Sequence, residues 1–168
     1  MSNLQRISMK FYGYYRSATN STQSLVLLAI RLYWGWQFFS TGRGKAGDIS
    51  RVVGFFTTLG IPAPALNAYF VTGLELVGGI LLFVGLGSRL VALPLFLDMI
   101  VAYITADREA LSSVISDPDK FMGAAPFTFM LASLIILAFG PGRFALDSLI
   151  AKYFRQKDSA SAPQTAAA

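Results

Sequence analysis

Three ionisable residues lie inside otherwise apolar stretches of the sequence: Arg31, Glu75 and Asp98. Each would cost roughly 2.5–3.5 kcal/mol at the centre of a membrane-spanning helix, so three unpaired charges would oppose insertion of a protein this small. We therefore predict that they meet in the interior, with Arg31 paired to Glu75 and Asp98 close by. Fully ionised, they sum to one negative charge, which a proton on Asp98 or a visiting cation would neutralise.

Aromatic side chains surround Arg31 in the sequence, and Trp34 shares its helix face. An aromatic-lined polar pocket suits a flat organic ligand, which stacking and cation–π contacts would hold. Glu75 shares a face with Gly78 and Gly79, and small residues let a neighbouring helix approach closely. Two interpretations stay open: the charged residues form a structural clasp only, or a ligand or proton site is built on that clasp.

The elements that must position these residues are four apolar blocks, at residues 25–39, 69–86, 90–105 and 124–139. The chain is 54% apolar and only 14% charged, against about 25% charged residues in soluble domains. Each block approaches the roughly 20 residues that a helix needs to cross a bilayer, although the first and last must borrow flanking residues. We predict an all-α protein, a four-helix transmembrane bundle with short amphipathic interfacial helices.

Two further segments flank the membrane domain, which we place at residues 23–155. Residues 1–22 are basic and carry apolar residues at helical spacing, so they form either a helix on the membrane surface or a disordered leader. Asn20 is a plausible cap for the first span. Residues 156–168 have the composition of a disordered tail.

The segment between the first two blocks contains an amphipathic pattern and is more than a linker. Apolar residues recur from Val52 to Leu59, Asp48 or Ser50 can cap the start of a helix, and Gly60 can end it. We predict a short helix at the outer membrane surface that covers the mouth of the bundle.

The distribution of the +5 formal charge predicts the orientation in the membrane. Basic residues are more numerous on the side that holds both termini, and the segment between the third and fourth blocks is acidic. The positive-inside rule then places both termini in the cytoplasm. We expect the lipid bilayer as a partner and no nucleic acid.

The chain contains no cysteine and no histidine. Their absence excludes a disulfide, an iron–sulfur cluster held by thiolates of this chain and a haem held by its histidines, and it removes the usual zinc ligands. We therefore expect no metal or haem ligated by this chain. Any redox chemistry would use an organic cofactor or a partner subunit.

Three stretches of the sequence resemble the DoxX family of small bacterial membrane proteins: RLYWGWQFFSTGRGK, LGIPAPALNAYFVTGLELVGGILLFVGLGSRLVAL and FGPGRFALD. The resemblance covers about residues 26–148 and implies a four-helix bundle in the bacterial inner membrane. The family takes its name from a subunit of a thiosulfate:quinone oxidoreductase, and other members are associated with redox complexes. The resemblance thus implies a subunit of a quinone-linked redox complex that works with a soluble or membrane partner.

The family pattern also matches individual positions: Arg31, Gly35, Lys45, Glu75, Gly79, Arg89, Gly140 and Asp147. With this resemblance we predict that Arg31, Glu75 and Asp98 carry the chemistry, with Arg31 polarising a quinone oxygen and a carboxylate exchanging the proton. Trp34, Lys45 and Arg89 are the predicted ligand contacts. Lys45 and Arg89 lie near the ends of spans, where they can instead extend to lipid headgroups.

Two other functions remain open on the sequence alone. The chain could be a non-catalytic membrane anchor or assembly partner, or it could form a pathway for protons or small solutes. A bundle of this size can also form a homodimer, but no interface can be assigned from the residues. The residues alone do not determine whether the protein is an enzyme or which ligand it takes.

Overall fold

The computed structural model describes residues 3–161, and at residues 3–11, 13, 14, 17, 18 and 157–161 it describes the backbone alone. The described part of the chain forms helices and no strand, which confirms the all-α prediction. In chain order these eight helices are α1 (Asn3–Gly47), α2 (Ile49–Thr58), α3 (Pro64–Val84), α4 (Ser88–Thr105), α5 (Arg108–Ser112), α6 (Pro118–Gly123), α7 (Ala125–Phe139) and α8 (Leu146–Ser161).

The first helix, α1, is a single element of 45 residues and runs through the predicted cap at Asn20. Hydroxyl groups near this position donate to carbonyls one turn earlier: Thr19 Oγ1 to Tyr15 O, and Ser24 Oγ to Asn20 O, both at 2.9 Å. Such bonds are compatible with an uninterrupted helix, and α1 contains no proline. The side chains of the predicted amphipathic stripe in residues 1–11 lie outside the described part.

At its other end, α1 continues about two turns beyond residue 39, where the first apolar block ends. Gly42 does not end the helix; it lies against α3, where a Cβ atom would be 2.7 Å from the backbone nitrogen of Leu76. The extension places Lys45 on the helix itself, beyond the end of the first apolar block. This longer helix changes which residues of α1 and α3 lie at the same level.

The predicted amphipathic helix after the first block is confirmed as α2. Asp48 is its N-cap and accepts a hydrogen bond from the backbone N–H of Arg51 at 3.0 Å. This bond satisfies one of the amide donors that every helix N-terminus leaves without an intrahelical partner. The helix packs against α3 and α1.

Two of the described helices, α3 and α4, are long and apolar enough to cross a membrane. α7 is also apolar but has only 15 residues, a length of about 22 Å against the roughly 30 Å of a hydrocarbon core. Pro94 lies inside α4 without ending it. Length and composition therefore identify α3 and α4 as candidate spans. By themselves they do not show the predicted arrangement of four spans.

The four longest apolar segments pack in a ring, in which α1 contacts α3, α3 contacts α4, α4 contacts α7 and α7 returns to α1. Their shared core consists of buried apolar residues from all four helices: Phe38, Leu82, Ala92, Leu95, Met99 and Ile136. Glu75 of α3 and Asp98 of α4 therefore lie on adjacent helices of this ring.

Glycines let the backbones of α1 and α3 come close together. A Cβ atom on Gly35 would lie 2.9 Å from the carbonyl oxygen of Gly79, and one on Gly79 would lie 2.7 Å from the carbonyl oxygen of Gly35. Only glycine fits at either position. The prediction that the glycine face beside Glu75 receives a neighbouring helix is confirmed: Gly79 meets α1, and Gly78 meets Val91 and Leu95 of α4.

The segment between α4 and α7 folds into the short helices α5 and α6. Tyr103 is buried, donates its hydroxyl to the carbonyl oxygen of Phe121 at 2.7 Å and stacks on that ring. Lys120 pairs with Glu109, and this hydrogen bond and charge hold the pKa of Glu109 below its usual range. At the C-terminus α8 extends to Ser161, so it covers the first six residues of the predicted tail, 156–168, and the remainder lies outside the described part.

Candidate functional site

The clearest polar feature of the interior is an ion pair between α1 and α3. Lys45 Nζ lies 2.7 Å from Glu75 Oε1, a distance typical of a strong charge-assisted hydrogen bond. The glutamate side chain is 3% exposed and the lysine side chain 32%. The lysine therefore reaches inward from a more accessible position and compensates a carboxylate that is buried.

The predicted pair between Arg31 and Glu75 is wrong. Glu75 lies level with Gly42 of α1, where a Cβ atom would be 3.0 Å from Glu75 Cβ. Arg31 precedes Gly42 by 11 residues, about 16 Å along the helix axis, which is farther than its side chain reaches. The prediction assumed that the first span was centred on residues 25–39, but α1 continues to Gly47 and brings Lys45 to Glu75 instead.

Arg31 is fixed at the other end of the bundle. Its side chain is 1% exposed, and its two terminal nitrogens donate to the carbonyl oxygens of Pro141 at 2.7 Å and Phe144 at 3.0 Å. Asp147 lies near enough for its charge to act on Arg31. The guanidinium thus ties α1 to the turn between α7 and α8, and the catalytic role predicted for it has no geometric support in this position.

Asp98 of α4 lies near the Lys45–Glu75 pair and lines the same cavity as Lys45. Its charge and those of Lys45 and Glu75 act on one another. Asp98 Oδ2 and Glu75 Oε2 are both buried without a hydrogen-bond partner, and so is the hydroxyl of Thr72, one turn from Glu75 on α3. Two of the three predicted chemical residues are therefore brought together, and Lys45 takes the place of Arg31.

A cavity of about 920 Å³ opens beside this trio. Lys45 and Asp98 line it, and its walls come from α1, α2, the loop at residues 60–62, α3 and α4. Most of the wall is apolar, with a large share from the α2 residues Val52, Phe55 and Phe56. We predicted that α2 covers the mouth of the bundle, and its position in the wall of this cavity agrees with that prediction.

Two of the three predicted ligand contacts do not line this cavity. The ring of Trp34 packs edge-on against Phe129 of α7, with the ring centroids 4.8 Å apart. Arg89 lies at the start of α4, at the other end of the molecule, and donates to the carbonyl oxygen of Ala138 at 3.2 Å. Lys45 alone of the three has a position from which it can contact a ligand there.

Other residues that line the cavity were not predicted, although their spacing carries a periodic signal. Thr41 and Lys45 are four residues apart on α1, and Asp98, Ala102 and Thr105 repeat on α4 at intervals of four and three residues. Such spacing marks one face of a helix. On α1 the spacing of Thr41 and Lys45 indicates a shared helix face only if the helix continues past residue 39.

The site offers few ligands for a metal ion. Within the described residues, no group of three or more His, Cys, Asp and Glu side chains lies together as a metal site would require. Lys45 and Asp98 instead offer one ammonium donor and one carboxyl group to an apolar cavity, and Glu75 is the partner of Lys45. This arrangement can bind a polar group of an otherwise apolar molecule and can hold a proton next to it.

Comparison with known proteins identifies relatives along most of the chain. The DoxX family model matches residues 26–108. The chain is 33% identical over 135 residues to "Putative oxidoreductase CatD" of Bacillus subtilis, a match that covers 79% of this chain and 92% of the relative. It is 31% identical over 138 residues to "Uncharacterized membrane protein Rv3486" of Mycobacterium tuberculosis, with 75% and 82% covered. No solved structure matches the chain significantly.

Proposed function

The chain belongs to the DoxX family of membrane proteins, and from this premise we propose that it is a membrane subunit of a redox complex that binds a quinone in the cavity beside Lys45, Glu75 and Asp98. The observation that carries the proposal is a buried oxygen of Asp98 without a hydrogen-bond partner, on a residue that lines an apolar cavity of about 920 Å³ together with Lys45. Known small-molecule sites have volumes of about 300–1,000 Å³, mostly apolar walls and a few polar groups. The name of the Bacillus subtilis relative supports the redox role.

The residues of the trio fit the polar atoms of a quinone. Lys45 can donate a hydrogen bond to a ring oxygen while it keeps Glu75, because an ammonium group has three donors. A buried carboxyl oxygen without a donor is better tolerated when the group is the neutral acid, so Asp98 can hold a proton and donate it. Thus Lys45 orients the ring and Asp98 supplies the proton.

A bound quinone would supply an acceptor for two electrons and two protons. The electrons would come from a partner redox protein, and the protons would pass through Asp98. The apolar residues of α2 keep water from the ring and strengthen the interactions of the trio. The whole quinone site is thereby assigned to the end of the bundle that carries Lys45, and Arg31, Trp34 and Arg89 are not part of it.

We further assign the protein to the bacterial inner membrane, with α1, α3, α4 and α7 as spans and both termini in the cytoplasm. The ring of four helices supports this arrangement, as does the excess of basic residues on the side of the termini. The cavity then opens toward the outer face. A soluble or membrane redox partner and a homodimer remain predictions.

Equilibrium binding of a short-chain quinone to the purified protein in detergent tests the proposal. We expect saturable binding, and an affinity lowered about tenfold in Asp98→Ala and Lys45→Met because each change removes a hydrogen-bond donor to a quinone carbonyl oxygen. The control is Asp119→Ala, which changes an exposed acid of α6. A photoreactive quinone should label peptides from α2 and α4. No saturable binding, or equal binding by all variants, would refute the proposal.

The same geometry favours a second candidate, a membrane anchor without a ligand. The Lys45–Glu75 pair joins α1 to α3, and Arg31 joins α1 to the turn before α8, so both could serve only to hold the bundle together. This candidate predicts that Asp98→Asn, which removes no observed hydrogen bond, leaves both stability and complex activity unchanged. A loss of activity at normal protein level decides for the quinone site.

A further inference from the structure

The end of the protein opposite the cavity carries arginines that the proposed function does not use. Arg89 is exposed at the start of α4, and Arg143 is exposed in the turn between α7 and α8. Arg89 donates one hydrogen bond, to Ala138, and so retains most of its five donors. Two open cavities of about 510 and 480 Å³ flank the turn at residues 140–142, and Arg89 lines the first while Arg143 lines the second.

The charge of these arginines is not balanced locally. Among the described residues that line the two cavities, Asp147 is the single acid. Both of its carboxylate oxygens already accept backbone N–H groups, from Gly87 at 2.8 Å and from Ser88 at 3.1 Å. Asp147 thus serves the N-terminus of α4, and Arg89 and Arg143 stay available to an external anion.

Apolar side chains stand directly beside the arginines. Leu90, next to Arg89, is 82% exposed, and Phe139, which lines both cavities, is 62% exposed. On α8 an exposed apolar stripe follows the helical repeat: Leu146, Leu149, Ile150, Tyr153 and Phe154. A helix with such a stripe and basic residues beside it is typical of a membrane surface. This end therefore combines cations with apolar surface at the expected depth of lipid headgroups.

We propose that this end of the protein is a binding site for an anionic phospholipid, with the lipid phosphate between Arg89 and Arg143 over the turn at residues 140–142. Guanidinium groups bind phosphate oxygens through paired hydrogen bonds, and basic pockets at the cytoplasmic side of membrane helices bind anionic headgroups. The acyl chains would lie along Leu90 and Phe139. The site requires insertion in a membrane but does not depend on quinone binding.

Native mass spectrometry of the full chain in detergent tests this site, with phosphatidylglycerol, phosphatidylcholine of the same acyl chains, and inorganic phosphate as probes. We expect the protein to bind phosphatidylglycerol at least tenfold more tightly than phosphatidylcholine. Arg89→Gln and Arg143→Gln should each lower that affinity about fivefold, since one cation near an anionic headgroup contributes about that factor. The control is Arg43→Gln, an exposed arginine at the cavity end of α1, which should leave it unchanged.

The three probes distinguish binding of a phospholipid headgroup from binding of free phosphate. A preference for phosphatidylglycerol that is lost in the variant carrying both Arg89→Gln and Arg143→Gln supports the site. Arg89→Gln removes the hydrogen bond to Ala138 and so can disturb folding. Arg143→Gln removes no observed hydrogen bond, so its effect still tests the site if Arg89→Gln does not fold. Equal binding of both lipids, a preference that survives in the double variant, or displacement of the lipid by inorganic phosphate at equal concentration would overturn it.

Discussion

Lys45 and Glu75 are unequally buried partners, and this asymmetry determines what each contributes. The lysine side chain is 32% exposed and can extend to water or headgroups when its partner is removed. The glutamate is 3% exposed and has one oxygen without any partner even in the intact pair. The cost of breaking the pair therefore depends strongly on which residue is changed.

A double-mutant cycle on this pair should show strong coupling. We expect Lys45→Met to lower the free energy of unfolding by about 3–5 kcal/mol because it leaves a buried carboxylate unpaired. Glu75→Gln should cost less, about 1–3 kcal/mol, and the double variant less than the sum of the two. Unfolding in detergent with added denaturant measures all three.

The control is the same cycle with Arg31→Gln and Glu75→Gln. Because Arg31 lies about 16 Å along α1 from Gly42, the residue level with Glu75, the two effects should add to within about 0.5 kcal/mol. Coupling in this second cycle, or additivity in the first, would contradict the geometry described for the site.

Glycine contacts set the distance between α1 and α3, and this distance is what allows Lys45 to reach Glu75. Gly35 and Gly79 face each other, and Gly42 faces the backbone at Leu76. Helices in lipid gain little from the hydrophobic effect between them, so close packing of small residues supplies much of their association. The site thus depends on an interhelical contact made several residues away from it.

Adding one methyl group at that contact should be costly. We expect Gly79→Ala to lower the free energy of unfolding by about 1–3 kcal/mol, because its Cβ would meet the carbonyl oxygen of Gly35. Gly73→Ala on the same helix is the matched control, since no atom outside the helix backbone lies within 4 Å of its Cβ position. It should be neutral or stabilising by up to about 1 kcal/mol. Equal effects of the two changes would argue against the described packing.

The N-terminus of α4 depends on a residue that is distant in sequence. Asp147 accepts the backbone N–H groups of Gly87 and Ser88, as a capping side chain does. We expect Asp147→Ala to cost about 0.5–2 kcal/mol and to increase hydrogen exchange at residues 87–91. Asp48→Ala, which removes the cap of α2 in the same way, should raise exchange only in α2. The prediction fails if exchange at the start of α4 does not change.

At the level of the whole molecule, the two ends of the bundle differ in chemistry. One end holds the Lys45–Glu75–Asp98 trio and the large cavity roofed by α2. The other holds Arg31, Asp147 and the exposed arginines around the turn before α8. Redox chemistry and lipid contact are therefore proposed at opposite ends, and each can be tested by substitutions that leave the other intact.

Cysteine labelling tests the orientation directly, because the natural chain contains no cysteine. Ser112→Cys, in α5, should react with a membrane-impermeant maleimide in intact bacteria. Ala151→Cys, in α8, should react only after the cells are permeabilised. Both positions are exposed, so access to the reagent is the difference that is measured. The reverse pattern would place the cavity on the cytoplasmic side.

Several features of the fold were predictable because they depend on local composition and spacing. The apolar blocks indicated the helices that pack in the ring, and the glycines near Glu75 indicated a close helix contact. Asp48 and Ser50 were the two candidate caps of α2, and Asp48 is the one observed. These signals act within a few residues of chain. The end of α1 was misjudged because the apolar block ends at residue 39, whereas the helix continues through more polar residues to Gly47.

The sequence by itself determined that charged residues lie in apolar helices and must find partners, since an unpaired charge in such surroundings is costly. It identified Glu75 and Asp98 as two members of one polar site. Which cation joins them was decided only by the tertiary structure, because the partner depends on the register between α1 and α3. That register follows from the fit of Gly35 and Gly42 against α3, which brings Lys45 to Glu75 and leaves Arg31 to the turn before α8.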